Sequence, residues 1–203
     1  SSYKGKTSTS SPSPHEWENA FGDADVVFCI TITSSLSGTY NSAVIAKDIY
    51  EHNHTGRKVY VLDSLSTGPE IALFIEKIAE LIKAGFAPDD IYKTLLEYKD
   101  KTHLYFSLAS LNNFAKNGRI SPVIAAGIGL LGVRVVGKAS DEGTLLPLDK
   151  CRGEKRALKK LIDHLKECGY TDGKIIIAHN NNEAGALELK KLIENTFGIF
   201  NGT

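Results

Sequence analysis

The sequence predicts an α/β protein of two α/β domains, the first a three-layer parallel sheet and the second a mixed sheet with helices. Three observations carry that prediction. Over residues 25–108, β-branched apolar runs alternate with stretches of helical periodicity, the pattern of strands joined by covering helices. Beyond residue 108 the pattern changes to paired short strands followed by helices. A length of 203 residues is enough for two small domains. The boundaries expected are 1–108 and 109–203.

The elements follow in order. Residues 1–14 are rich in Ser, Thr, Lys and Pro, a composition that ordinarily makes a flexible linker. DVVFCITIT (residues 25–33) suits a buried parallel strand. A helix is predicted over 40–50, with Val44, Ile45 and Ile49 on its apolar side. A strand follows at 58–63. Ile71, Phe74, Ile75, Ile78, Leu81 and Ile82 recur at helical spacing over 71–83. Gly85 suits the end of that helix, and Pro88 the first turn of the next, which runs to about Lys99. A strand at 103–108 and a short helix ending at Asn117-Gly118 come next. Two strands, 132–139 and 144–150, flank the turn Ser140-Asp141-Glu142-Gly143. A basic helix over 154–168, a strand at 174–178 and an amphipathic helix over 183–195 complete the pattern.

Composition excludes several functions. Lys+Arg and Asp+Glu both number 24, so neither nucleic acid nor an anionic membrane is the expected partner. The longest apolar run, Val26 to Ile30, is too short for stable membrane insertion, and the polar N-terminus carries no signal peptide. Cys29, Cys151 and Cys168 are odd in number and form no CxxC, which fits a reducing, cytoplasmic setting. His52 and His54 fall in the polar stretch EHNHTGRK and are expected to be solvated, so no metal ligand set is predicted. No cofactor motif is present, and a monomer is expected. The sequence holds no Met, so it is expected to be a piece of a longer chain.

The informative place is the loop after the first strand, Ser34-Ser35-Leu36-Ser37-Gly38-Thr39. A strand feeding a helix presents free N–H groups and the positive end of the helix dipole there. Small hydroxyl residues and a Gly let an anion reach that backbone. A carboxylate or phosphate is thus a natural ligand of Ser34, Ser37, Gly38 and Thr39. The other reading is that Ser37 only caps the helix.

Five blocks carry a family resemblance. TSSLSGTYNSA (33–43) is similar to the SSGLSGTYxSA signature of the DegV family, and TSSPSP (9–14) to its TSQPSP. HLYFSLASLNNFAKNGRIS (103–121), LLPLDKCRGEKRALKKL (145–161) and IIIAHNNNEAGALELKKLI (175–193) resemble three further family blocks, in the family's order. The resemblance implies a two-domain protein that encloses a long-chain fatty acid and is not itself an enzyme. Several such proteins are the lipid-presenting subunit of a fatty acid kinase, so the kinase's catalytic subunit is an implied partner. It implies Thr9, with Ser10 beside it, and Ser34, with Thr33 beside it, as carboxylate contacts. Arg152 falls on a family arginine. Ile120, Ile124, Ile128 and Leu131 have the composition of a tail lining, although an ordinary packed helix would look the same. Under this reading residues 9–14 are a ligand loop rather than a linker.

Three departures bear on the site. Ser35 stands where the family has Gly, which restricts the turn. The family's opening strand with its acidic TDS-like motif has no counterpart here, nor does a C-terminal segment that often supplies a His.

Two rival readings remain. A phosphosugar-binding module could use Ser37-Gly38-Thr39, and a serine hydrolase could use Ser37, although no GxSxG elbow is present. His179 is expected to be structural. Glu154, Lys155, Arg156, Lys159 and Lys160 make either a solvated helix face or a docking surface for a kinase subunit.

Overall fold

The computed structural model describes residues 8–120 and 132–198. The described helices are α1 (Pro14–Phe21), α2 (Thr39–Asn53), α3 (Pro69–Lys83), α4 (Pro88–Lys99), α5 (Asn112–Lys116), α6 (Glu154–Glu167) and α7 (Glu183–Phe197). The strands are β1 (Val26–Thr31), β2 (Lys58–Asp63), β3 (Tyr105–Leu108), β4 (Val133–Ala139) and β5 (Leu145–Arg152). They fall into two compact units. One holds Thr9–Leu104 and Ala139–Thr144; the other holds the described residues of Tyr105–Lys138 and Leu145–Thr203.

In the first unit β1 and β2 pair in parallel, Val26 opposite Lys58 and Thr31 opposite Asp63. Strand side chains alternate, so each strand feeds two cores. Val27, Cys29, Val59 and Val61 join Ala43, Ala46 and Tyr50 of α2 and Phe21 of α1. Phe28, Ile30 and Leu62 join Phe74, Ile78 and Leu81 of α3 and Ile91 and Leu95 of α4. Helices therefore cover both faces, which explains why the strands read as continuous apolar runs. Burial pushes the Cys29 thiol up to about 12.

The ends of these helices follow from their sequences. α3 closes with Gly85 in the left-handed region (φ 78°), its N–H on the Ile82 carbonyl at 3.0 Å and the Phe86 N–H on Leu81 at 3.1 Å. α1 begins at Pro14, the last residue of the stretch whose composition suggests a linker, and covers residues to which the sequence pattern assigns no element. Ser13 accepts from the Glu16 N–H at 3.2 Å, and the Glu16 carboxylate accepts from the Ser13 N–H at 2.7 Å. With Pro14 in the first turn this is a reciprocal cap. Those hydrogen bonds from Ser13 hold the Glu16 carboxyl below the usual carboxylate range. α2 runs to Asn53, so His52, exposed to solvent, lies in its last turn rather than in a loop.

Among the described residues, β2 has one edge that no strand pairs with. Lys58 and Ser64 donate to β1-side carbonyls, Asp25 at 2.8 Å and Thr31 at 3.3 Å, so the intervening odd residues turn their backbone away from β1. There the Val59 N–H donates to Glu51 Oε1 at 2.8 Å, and the Tyr92 hydroxyl donates to the Val61 carbonyl at 3.1 Å.

In the second unit β3 pairs antiparallel with β4, Tyr105 opposite Lys138 and Leu108 opposite Val135, and β5 continues the sheet. Val136 packs with Ala157, Leu158 and Leu161 of α6 and with Leu189 and Leu192 of α7. Val135 packs on the other face with Leu111, Ile120, Phe106 and Phe114. Gly137 lies under the Phe106 ring, where a Cβ would collide with the ring and with the Leu146 carbonyl. Glu154 Oε1 accepts from Arg134 at 2.8 Å and from Asn182 at 2.6 Å, which ties the starts of α6 and α7 together. The predicted strand at 174–178 is not one of the described strands. Three successive Ile residues suit a strand, but a ladder needs a neighbour, and the described residues provide none.

Candidate functional site

β1 and β2 are parallel, so both deliver their C-terminal ends to one side, the place where open α/β sheets bind ligands. The loop after β1 divides into two halves there. In residues 33–35 the backbone donors and the Thr33 and Ser35 hydroxyls are consumed internally. The Thr33 N–H bonds the Ser66 carbonyl at 2.9 Å, and its buried hydroxyl donates to the Gly143 carbonyl at 2.9 Å. The Ser34 N–H reaches both Asp63 oxygens, at 3.1 and 3.3 Å. The Ser35 N–H bonds Thr33 Oγ1 at 3.3 Å, and its hydroxyl donates to the Glu142 carbonyl.

Ser35 does not restrict the turn as its replacement of a glycine suggested. It is absent from the residues with positive φ, and its hydroxyl gains a partner on the tip of the β4–β5 hairpin. The glycine next to this loop that cannot be replaced is Gly143. Its φ is 75°, and a Cβ there would overlap the Thr33 hydroxyl and come within 3.0 Å of Leu65 Cα. Leu65 itself has φ 52°, a strained conformation for a non-glycine residue. Asp63 supports it by accepting the Leu65 N–H at 3.1 Å.

In the second half of the loop Gly38 is exposed and Ser37 and Thr39 are half-buried. Ser37 Oγ lies 2.7 Å from Thr39 Oγ1 and 3.3 Å from Ser11 Oγ. The chain before α1 is anchored beside it, because the Ser42 hydroxyl donates to the Pro12 carbonyl at 2.6 Å. Thr9 and Ser10 are exposed at the start of that segment, and the Ser34 side chain is exposed as well. α2 begins at Gly38 without a side-chain cap. Of the helix's first N–H groups Ser37 Oγ accepts that of Thr39, at 3.3 Å, and no partner among the described residues is given for those of Tyr40 and Asn41. Ser37 thus meets the first N–H of a helix whose N-cap, Gly38, has no side chain to offer.

The structure thus brings Thr33, Ser34, Ser37, Gly38 and Thr39 into one loop and sets residues 11–12 against it. Arg152 is exposed at the end of β5 in the other unit. Ile120 is buried in the core around Leu111 and Val135, while Ile124, Ile128 and Leu131 lie outside the described residues. Sequence reasoning missed Asp63, Ser11 and the Glu142-Gly143 tip. A carboxylate at the end of a parallel strand is a signal for the first; the tip showed only as a turn.

Other chemistries find less here. Ser37 has no histidine partner among the described residues, and His179 accepts from the Asn182 N–H at 3.2 Å. No three His, Cys, Asp or Glu side chains among the described residues are grouped to hold a metal ion. No helix among them is long and apolar enough to cross a membrane. An open groove of about 370 Å³ runs along β2, lined by Tyr40, Lys47, Lys58 and Tyr92 among others, and includes none of the loop hydroxyls.

With this geometry in place, the chain was compared with known proteins. The family model described as "Uncharacterised protein, DegV family" matches residues 2–201. A DegV domain-containing protein of Streptococcus pneumoniae is 43% identical over 186 residues, 92% of this chain and 66% of that protein. Among solved structures, a DegV family protein from Eubacterium eligens loaded with heptadecanoic acid has a TM-score of 0.96 at 41% identity, covering 100% of this chain and 73% of that one. The Streptococcus pneumoniae Fatty Acid Kinase (Fak) B3 protein loaded with linoleic acid has a TM-score of 0.93 at 41% identity, covering 96% and 69%. The chain spans about two thirds of the length of the curated relatives it matches.

Proposed function

The chain belongs to the DegV family, and from that premise we propose that it binds a long-chain fatty acid through the hydroxyls beside the uncapped start of α2. The observation that carries this reading is the meeting of two hydroxyl segments, Ser11 against Ser37 and Pro12 against Ser42, at a helix terminus with open amides. Thr9, Ser10, Ser34, Ser37 and Thr39 are the proposed carboxylate contacts, with Thr33 holding the loop and Gly38 leaving the backbone accessible. The fatty acids in the two solved relatives, each 41% identical, support the ligand class.

The energetics suit such a ligand. Burying a sixteen-carbon tail at ~0.8 kcal/mol per CH2 contributes on the order of 10 kcal/mol before ordering costs. A desolvated carboxylate costs several kcal/mol unless donors meet it, and hydroxyls with helix-start amides can do so without a full counter-charge. A head group held this way stays transferable. That property fits a second part of the proposal, in which the chain presents the carboxylate to a fatty acid kinase rather than carrying out chemistry itself. Division into domains at residue 109, a role for Arg152, and a tail lined from Ile120 through Ile124 and Ile128 to Leu131 are further parts of the same proposal.

Organic extraction of the purified protein followed by mass spectrometry tests it. A stoichiometric long-chain fatty acid, depleted when Thr9 or Ser34 becomes Ala, is the expected result. Protein free of lipid that also fails to take up added palmitate would end the reading.

A further inference from the structure

Helices on opposite faces of the first sheet leave a groove between them along the unpaired side of β2. Tyr40 and Lys47 line it from α2, Tyr92 from α4, and Val59 and Val61 from the strand itself. Its volume, about 370 Å³, is that of a small-ligand site. Val59 and Val61 turn their backbone to this side, which brings four hydrogen-bonding groups to the groove. Two are answered, the Val59 N–H by Glu51 at 2.8 Å and the Val61 carbonyl by the Tyr92 hydroxyl at 3.1 Å. The two between them, the Val59 carbonyl and the Val61 N–H, have no hydrogen-bond partner among the described residues. Val59 is 1% exposed and Val61 8%, and buried backbone groups of this kind are nearly always paired in folded proteins.

An acceptor at one residue and a donor two residues on, facing the same way, match a planar molecule that carries a donor beside an acceptor on one edge. Adenine has that pattern at its 6-amino group and N7. A peptide strand fits poorly, because Glu51 and Tyr92 already hold the flanking groups that a ladder would use. Two tyrosines in the lining suit a stacked ring. Burial, with Tyr40 nearby, holds the Tyr92 hydroxyl above its ordinary range, so it stays a donor to Val61. Lys58 is committed to Asp89 at 2.9 Å, whereas half-buried Lys47 forms no ion pair among the described residues and can meet an anionic substituent.

We infer that this groove binds an adenine nucleotide, held along the edge of its base by the Val59 carbonyl and the Val61 N–H and at its phosphate by Lys47. None of the loop hydroxyls lines the groove, and the inference rests on no part of the fatty-acid reading. The groups that meet the base are backbone, so they are set by the strand's register rather than by any rotamer.

The test follows the amide resonances of the isotope-labelled full chain as AMP is added to about 1 mM. The Val61 amide proton should move downfield in a saturable titration, a readout that needs no variant to fold. Purine riboside 5′-phosphate lacks the 6-amino donor and strands the Val59 carbonyl, so it should bind about tenfold more weakly. Adenosine should bind about threefold more weakly than AMP at low salt, and Lys47→Gln, which keeps the length of the side chain, should remove that difference. A Val61 resonance unmoved by AMP, or equal affinity for AMP and purine riboside 5′-phosphate, overturns the inference. Equal affinity for AMP and ribose 5-phosphate overturns it as well, since the lysines would then be holding an adventitious ion only. Each of these outcomes leaves fatty-acid binding untouched.

Discussion

Residues 33–35 and residues 37–39 share one loop and one composition, yet their hydroxyls do different work. Thr33 and Ser35 direct theirs at the carbonyls of Gly143 and Glu142, far along the chain. Ser37 and Thr39, both half-buried, direct theirs at each other and at Ser11, close in the chain or on the segment before α1. Partners make the difference: Thr33 is 1% exposed and its hydroxyl is held by a carbonyl within the fold, whereas hydroxyls bonded only to one another can exchange those bonds for a ligand. Thr33 and Ser35 are scaffold, while the hydroxyls of Ser34, Ser37 and Thr39 are not tied to the hairpin.

Four substitutions or reactions would break or sharpen that contrast. Gly143→Ala strikes the scaffold hardest, since a Cβ overlaps Thr33 and the left-handed φ resists any side chain; a loss of about 2–4 kcal/mol in urea unfolding is expected. Thr33→Val keeps the shape and strands the Gly143 carbonyl, so about 1–3 kcal/mol should be lost by the same measurement. Ser37→Ala should reverse the balance. Its stability cost should stay below about 1 kcal/mol, because the groups that lose it, the Thr39 N–H and the Thr39 and Ser11 hydroxyls, are within reach of water. Palmitate affinity, read by titration, should nonetheless fall about tenfold. The smallest effect concerns thiols. Iodoacetamide at mildly alkaline pH should label exposed Cys168 first and Cys29 last, because burial raises the Cys29 pKa to about 12 and keeps it a thiol. Peptide mapping would report the order.

A pH titration adds a check away from the loop. The Tyr60 hydroxyl and Lys58 hold the Asp89 carboxyl below its ordinary range. A folded pKa below the unfolded one means the contribution is present near neutral pH and is lost as pH falls through the depressed value. Asp89→Asn should therefore flatten the acid limb of the stability profile slightly, as the pair is exposed.

Much of the first unit was legible because its information is local. The runs at β1 and β2 and the spacing of Phe74, Ile78 and Leu81 name their elements without reference to the rest of the chain. α1 escaped because its signal is a cap, Ser13 with Glu16, set at the end of a stretch whose composition resembles a linker. The strand expected at 174–178 failed for the opposite reason, since propensity is local and pairing is not. In the loop, the hydroxyl residues and the helix start could be read directly. Which hydroxyls were already engaged could not, because the partners of Thr33 and Ser35 lie 110 and 107 residues away. Asp63 was hidden likewise: it reads as the last residue of a strand until the fold sets it against Ser34.

The outward edge of β2 has a consequence for the protein as a substance. A bare strand edge invites another chain to continue the sheet, the usual start of ordered aggregates. Here a glutamate has taken a position that a neighbouring carbonyl would fill, and a tyrosine one that a neighbouring amide would fill. Concentrated solutions, heat stress and long storage all test whether sheets grow into one another. At this edge, two ordinary side chains have already occupied the places where growth would begin.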